Sequence, residues 1–306
     1  MTFEVLIDDT FLNVVPTSTL SPASNKRILS LINDFEEKKW RLKKFRSFIW
    51  DNIAETALSQ KERLSLVNQS HSMLVAAAEN LRLTDLDDDV GKGSELAEVV
   101  LYGIMKEYYS ALPVVPKIFY KQNSQDNAKG ADSVHIVIDG DDFSLWFGEA
   151  KFYKSLEDAR LSKIVESVAS SLSPGKLKKE NSIITNVSDI DLLPIKDSIR
   201  SSIKSALSPK ESLDKIKSKI NIPILILHEC GLTGACKEIT DEYKAALISF
   251  HKGRATSYFK KQIDKIGGIF KYSEIKFHII LFPVPSKKEI VDNFVGNVQY
   301  FKEQGK

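Results

Sequence analysis

The chain has 306 residues, 42% hydrophobic and 27% charged, which suits a soluble globular protein with a sizeable core. Two cysteines exclude a disulfide framework and point to a reducing, cytoplasmic setting; no basic-then-apolar leader opens the sequence, and no apolar run approaches the roughly 20 residues a membrane helix needs, so no membrane association is expected. Lys and Arg number 43 against 41 Asp and Glu, and the net charge of +2 excludes a protein that coats nucleic acid by bulk charge, though not one that touches a polyanion at a local face.

In chain order, Phe3 to Ile7 predicts a short strand, followed by a loop with Pro16 and Pro22. Asn25 is placed to cap a helix from Lys26. Helical patterns run to Ile53 and again from Lys61 to Leu81, so residues 1–90 are expected to form a mostly helical region packed on a core spanning 91–306. Within that region Lys38-Lys39-Trp40-Arg41-Leu42-Lys43-Lys44-Phe45-Arg46 is basic with interleaved aromatics; His251 to Lys276 is basic again, and Asp85 to Asp89 is acidic. Gly91-Lys92-Gly93 closes a loop, and Ser94 is expected to cap a helix to Leu112 that Pro113 and Pro116 end. Lys117 to Lys121 reads as a strand and Gln122 to Gly130 as a polar loop. Ser133 to Ile138 and Phe143 to Tyr153 read as the two strands of a hairpin turning through Asp139-Gly140-Asp141-Asp142. A helix from Ser155 to Leu172 stops at Ser173-Pro174-Gly175, and the Lys/Ser-rich stretch 175–220 reads as helices with loops. Ile222 to His228 and Ile275 to Phe282 are continuous apolar runs of the kind that form strands buried on both faces. Between them lies a long helix, Thr240 to Ile266, with Gly253 as the point where it would break; Ser286 caps a last helix to Phe301. This order predicts an α/β fold, a mixed sheet flanked by helices.

The chemistry concentrates in Gly130-Ala131-Asp132-Ser133-Val134-His135 and Gly148-Glu149-Ala150-Lys151-Phe152. Side chains alternate along a strand, so Glu149 and Lys151 share a face, and a hairpin turning at Gly140 brings Asp132 to the same end. Two carboxylates and an ammonium on an apolar strand are costly unless paired or metal-bound, and folding does not require them. A divalent cation would compensate them: Mg²⁺ takes one or two carboxylates plus water and phosphate. A third carboxylate is expected from the helix beginning at Ser94, where Glu98 sits among Ala97, Val99, Val100 and Leu101; Glu95 lies one turn earlier, and either would reach the ion, Glu98 being favoured by its more apolar neighbours.

The order Glu98, Asp132, Glu149-x-Lys151 resembles the PD-(D/E)XK nuclease superfamily, which implies a restriction-endonuclease-like sheet. More narrowly, Ser94 to Tyr102, Lys129 to Ile136 and Trp146 to Tyr153 resemble the HamA family, the nuclease subunits of the Hachiman anti-phage defence system, whose domain the AbpA-type defence proteins share. The motifs cover roughly residues 94–155. The resemblance implies a DNase using Mg²⁺ or Mn²⁺, with catalytic residues at Asp132, Glu149, Lys151 and Glu98, and metal held by Asp132, Glu149, Glu98 (or Glu95) and the Ala150 backbone carbonyl. It also implies DNA as substrate and a superfamily 2 helicase subunit, HamB-like, as controlling partner. Ala131 stands where the superfamily name has proline.

Other candidates carry less. His228, Cys230 and Cys236 lack zinc-finger spacing and a fourth ligand, so packing at a strand end explains them better. His135 falls on the strand face opposite Asp132 and reads as a packed strand histidine. Gly91-Lys92-Gly93-Ser94 lacks the upstream glycine of a phosphate loop, so ATP hydrolysis by this chain is not expected. Lys154 and Arg160 are placed to contact phosphates or simply to be solvated. The rival functions are a non-catalytic nucleic-acid-binding or partner-docking subunit, and a nuclease acting on RNA or a nucleotide.

Overall fold

The structure is a computed structural model that describes residues 1–83, 93–120, 131–186 and 188–306; the acidic run Asp85 to Asp89, the Gly91-Lys92 turn and the polar loop after Lys121 lie outside the described residues. The chain begins with β1 (Glu4–Thr10), the single turn α1 (Phe11–Val14), β2 (Lys26–Ile32), and a small hairpin of β3 (Phe35–Glu36) and β4 (Lys39–Trp40). Helices α2 (Leu42–Ala57), α3 (Gln60–Ser65), α4 (Ser70–Glu79) and α5 (Ser94–Tyr109) follow, then β5 (Leu112–Val115), α6 (Lys117–Tyr120), β6 (Ser133–Asp139) and β7 (Asp142–Tyr153). Next come α7 (Asp158–Ser171), α8 (Pro174–Asn186), α9 (Asp197–Ala206), α10 (Leu213–Ile216), β8 (Ile220–Glu229), α11 (Gly231–Ala235), α12 (Asp241–Ile266), β9 (Lys276–Val284) and α13 (Lys287–Gln304).

Seven strands form one mixed sheet in the order β1-β2-β9-β8-β7-β6-β5. The central four, β2, β9, β8 and β7, are parallel, while β1 at one edge and β6 and β5 at the other run antiparallel to their neighbours. A parallel centre must be covered on both sides, and the apolar runs supply both faces. In β8, Ile220, Ile222, Ile224 and Ile226 point into a core shared with α7 and α12, while Leu225 and Leu227 point into the opposite core shared with α2, α5 and α13. The fold is therefore α/β, with helices on both faces of the sheet. The hairpin forms as expected: Asp139 pairs with Asp142 across Gly140-Asp141, and Gly140 takes φ +60°, a conformation costly for side chains with a Cβ.

The first third departs from the helical expectation. Residues 26–32 are a strand, β2, paired with both β1 and β9. Ile28 enters one core while Leu29 and Leu31 enter the other, a two-sided requirement that a central strand meets and a surface helix does not. Asn25 caps no helix; its Nδ2 donates to the carbonyls of Tyr272 (3.0 Å) and Ile275 (2.8 Å), tying β2 to the start of β9. The pattern from Lys61 to Leu81 divides into α3 and α4, with Asn68 at φ +65° between them. Ser94 is the first helical residue of α5 rather than its cap; Gly93 fills that position at φ +93°. The strand expected at 117–121 lies earlier, at β5, where Pro113 is tolerated because the strand is at a sheet edge; Lys117 to Tyr120 forms one helical turn. Pro174 opens α8 instead of only ending the helix before it, and α12 runs through Gly253 unbroken. The expected caps Thr240 and Ser286 do accept from the amides of Tyr243 and Glu289. The basic run 38–46 is partly neutralised, with Arg41 and Lys44 on Asp34 at 3.0 and 3.2 Å and Arg41 on Glu36 at 3.5 Å. No helix among the described residues is long and apolar enough to cross a membrane.

Lys26, at the start of β2, is fully buried. Its Nζ donates to the Pro22 carbonyl (2.7 Å) and Asn25 Oδ1 (2.8 Å) and lies 4.8 Å from the centre of the Tyr272 ring, with no carboxylate contact among the described residues. Burial lowers its pKa to about 7. A cation whose pKa is depressed by folding penalises the fold most below the folded value, and the penalty fades as pH rises towards the unfolded value. Lys26→Met should therefore be more stable than the parent at pH 6, by about 1 kcal/mol after the loss of two hydrogen bonds. That advantage should shrink between pH 7 and pH 10 in paired thermal melts; a constant difference across that range would contradict the assignment.

Candidate active site

β6 begins at Ser133, opposite Gly148 of β7, and the last backbone bond on that side runs from Asp132 N–H to the Gly148 carbonyl, 2.8 Å. β7 continues through Tyr153 with β8 pairing it on the other side. The extension Glu149–Tyr153 thus has β-ladder pairing on one side, and the site lies there. Asp132 turns its carboxylate over the extension: Oδ2 accepts from the Ala150 amide at 3.1 Å and lies 3.5 Å from Lys151 Nζ. Lys151 Nζ is 2.6 Å from Glu149 Oε1, and the Ser167 hydroxyl of α7 donates to the same oxygen at 2.6 Å. The three residues named from the sequence therefore form one cluster, with two carboxylates around one ammonium. Amide and carbonyl of one strand residue point the same way across a ladder, so the Ala150 carbonyl faces the Asp132 side too.

The side chains of Lys151 and Asp132 are 30% and 17% exposed and that of Glu149 only 6%, so the cluster opens to solvent through its lysine and aspartate. Burial, and then the Asp132 charge, push the Glu149 carboxyl above its ordinary range; Lys151 and Ser167 oppose this without cancelling it. Burial by itself would lower the Lys151 ammonium, but the charges of Asp132 and Glu149 outweigh it and hold the pKa above the ordinary lysine value. The buried Tyr258 hydroxyl of α12 is raised by burial and also by the Glu149 charge. Two carboxylates thus face one ammonium at this point, an arrangement that suits a bound cation.

The helix glutamates are placed differently. α5 packs on the sheet face opposite Glu149: a Cβ on Gly148 would come within 2.7 Å of Leu101, and the Tyr102 and His135 rings are 4.7 Å apart. Glu98, one turn before both, lies on this sheet-facing stripe and is 7% exposed. Glu95 accepts from the backbone amides of Arg82 (2.9 Å) and Leu83 (2.8 Å). Among the described residues no three His, Cys, Asp or Glu side chains group as a metal-holding set.

The profile of the HamA family matches residues 8–298. The chain belongs to the HamA family. It is thereby an anti-phage defence protein of the Hachiman type. A search of curated proteins gave no match.

In this HamA-family chain several other sequence candidates lie against protein neighbours. His135 sits on the face away from Glu149, its pKa pushed down to about 3 by burial. His228 Nε2 is 3.0 Å from His251 Nε2, and His251 Nδ1 is 2.7 Å from Ser30 Oγ; Cys236 Sγ donates to the Glu238 carbonyl at 2.7 Å. The Arg160 guanidinium lies 5.2 Å from the centre of the Tyr153 ring and 2.8 Å from Glu157. Two positioning features were not read from the sequence. One is Ser167, an ordinary serine on α7 until the fold sets it on Glu149. The other is a buried ion pair: Glu180 of α8 receives Lys117 Nζ at 2.7 and 2.9 Å and the Ala131 amide at 3.0 Å, fixing the residue before Asp132. A charge at position 180 within a Lys/Ser-rich stretch gave no local signal of burial.

Removing one partner of a buried pair leaves the other charge uncompensated. Glu180→Ala should cost about 3–5 kcal/mol in chemical denaturation, and Lys117→Met with Glu180→Leu should recover most of it. A single-variant loss below about 1 kcal/mol would mean that the pair is not held as described.

Proposed function

We propose that the chain is a divalent-metal-dependent deoxyribonuclease, the effector of its defence system, controlled by a superfamily 2 helicase subunit. The observation that carries this reading is the cluster at the open extension of β7, where two carboxylates meet one ammonium at a partly exposed site. The donor set fits Mg²⁺ or Mn²⁺: Asp132, Glu149 and the Ala150 carbonyl would hold the ion, which needs only one or two carboxylates beside water and phosphate. When bound, the ion supplies Lewis-acid charge to the phosphodiester. Glu149 gives up any proton its raised pKa retains, a change the ion's charge favours. Ser167 fixes the Glu149 carboxylate, and the Ala150 amide fixes Asp132. Lys151, the most exposed of the three, orients the attacking water and offsets charge gathering on the phosphate. We assign Glu98 as the helix carboxylate, approaching from the α5 face; both oxygens of Glu95 accept backbone amides, which supports Glu98 over it. DNA as substrate and the helicase as partner rest on family membership.

The test is plasmid cleavage with Mg²⁺ or Mn²⁺ by the full chain, with and without the helicase subunit, beside Glu149→Ala and Lys151→Ala. Either variant should lose at least about a hundredfold in rate, and chelation should abolish cutting. Metal at a hundred times its Kd should stabilise the parent by about 2.7 kcal/mol and Glu149→Ala far less. A parent that shifts DNA in gels yet cuts no DNA form under any of these conditions would replace this reading with a non-catalytic binding subunit.

A further inference from the structure

The row of polar side chains on the α7 face of β7 does not end at Lys151. Alternation along the strand puts Tyr153 on the same face, about 7 Å further on. α7 runs back beside this face: Ser167 meets Glu149, and Arg160 lies over Tyr153, its guanidinium 5.2 Å from the ring centre. Arg160 and Ser167 are two helical turns apart, about 10 Å, so both stand on one stripe of α7. Glu149 and Tyr153 are about 13 Å apart along the strand. Helix stripe and strand face thus run side by side, with Lys151 midway and Arg160 at the far end.

Arg160 keeps part of its fork free. Its Nε donates to Glu157 Oε1 at 2.8 Å, while Nη1 and Nη2 meet no acceptor among the described residues and both reach solvent. The side chain is 25% exposed, close to the 30% of Lys151. The Tyr153 ring and Glu157 together fix the guanidinium, which presents its Nη edge already oriented. Burial raises the Tyr153 hydroxyl pKa, and the Lys151 and Arg160 charges both act against it, so both cations are within electrostatic reach of the phenol. Around the first turn of α7 three cations meet two carboxylates: Arg160 on Glu157, and Arg254 and Lys261 on Asp158 at 3.0 and 3.7 Å. Arg254 also donates to the Leu156 carbonyl at 2.9 Å, tying down the loop that presents Arg160. A free, oriented guanidinium edge in a cationic setting suits an oxyanion bound through two oxygens, above all a phosphate. The step from Lys151 to Tyr153 is comparable to that between successive phosphates of one nucleic-acid strand.

We propose that Arg160 is a second phosphate-binding group of this site, its Nη edge taking the phosphodiester next, on the same strand, to the one at Lys151. The proposal rests on the nuclease reading only in placing a phosphodiester at Lys151.

The experiment uses the full chain with Ca²⁺ in place of Mg²⁺, so that binding is read without cleavage. Thymidine 3′,5′-bisphosphate carries two successive phosphates of a strand, and thymidine 5′-monophosphate carries one; both are titrated by calorimetry. The bisphosphate should bind the parent about tenfold more tightly, and the two should bind Arg160→Met nearly alike. A labelled single-stranded DNA gives a second readout. Its slope of log affinity against log salt should shrink by about 0.7 in Arg160→Met, the share of one phosphate. Arg160→Lys, which keeps the charge and loses the fork, should keep the slope and bind more weakly than the parent. Thermal melts check that each variant is folded. The proposal is overturned if the bisphosphate fails to saturate at millimolar concentration or binds the parent no better than the monophosphate. It is equally overturned if the bisphosphate advantage or the salt slope is unchanged in folded Arg160→Met. An Arg160-dependent advantage in a chain that cuts no DNA would uphold this site and refute the nuclease reading; cleavage by a parent without that advantage would do the reverse.

Discussion

β7 outruns β6. Its first part is paired on both sides, and from Glu149 onward, among the described residues, only β8 holds it in the ladder. On that open flank the Ala150 amide has no strand to bond, and Asp132 fills the vacancy with its carboxylate, which sets the aspartate over Glu149 and Lys151. The other parts of the site follow from this mismatch in length. α7 brings Ser167 to one face, and α5 closes on the other because Gly148 lets Leu101 and Ser133 come closer than any Cβ would allow. A strand fully paired on both sides would have neither the space nor the spare backbone groups for such a cluster.

That arrangement works against stability. Glu149 is buried beside a like charge, and both push its carboxyl towards the neutral form. Lys151 limits the cost without removing it. Other buried charges in the molecule are settled more completely: Lys117 and Glu180 neutralise each other and also satisfy the Ala131 amide. A closed pair thus holds the residue before Asp132, while the candidate site beside it is a partly exposed cluster of three.

Much of this was legible locally. The hairpin announced itself through Asp139-Gly140-Asp141-Asp142, the strands β8 and β9 through unbroken apolar runs, and α12 and α13 through their caps at Thr240 and Ser286. Asp132, Glu149 and Lys151 were legible because period-two alternation and one turn fix their relation. What failed was decided by distant partners. Residues 26–32 read equally well as a helix face, and only pairing with β9 makes them a strand. Ser167, Lys117 and Glu180 reach the site from separate elements, so nothing near them in sequence marks them. Glu98 was legible as a buried helix carboxylate, but not that its helix lies across the sheet from Glu149.

β9 occupies an inner position between β2 and β8, although it is the last strand in the chain, and its partner β2 lies some 250 residues earlier. Contacts of such separation form late and slowly, because a long loop must close before they are rewarded. Without β9, the strand order leaves β1 and β2 in one ribbon and β5 to β8 in a second sheet, each with an unpaired inner edge. The two halves join only when residues 276–284 arrive between them. The order of strands therefore acts as a timer: the closed seven-stranded sheet is withheld until residues 276–284 have been made.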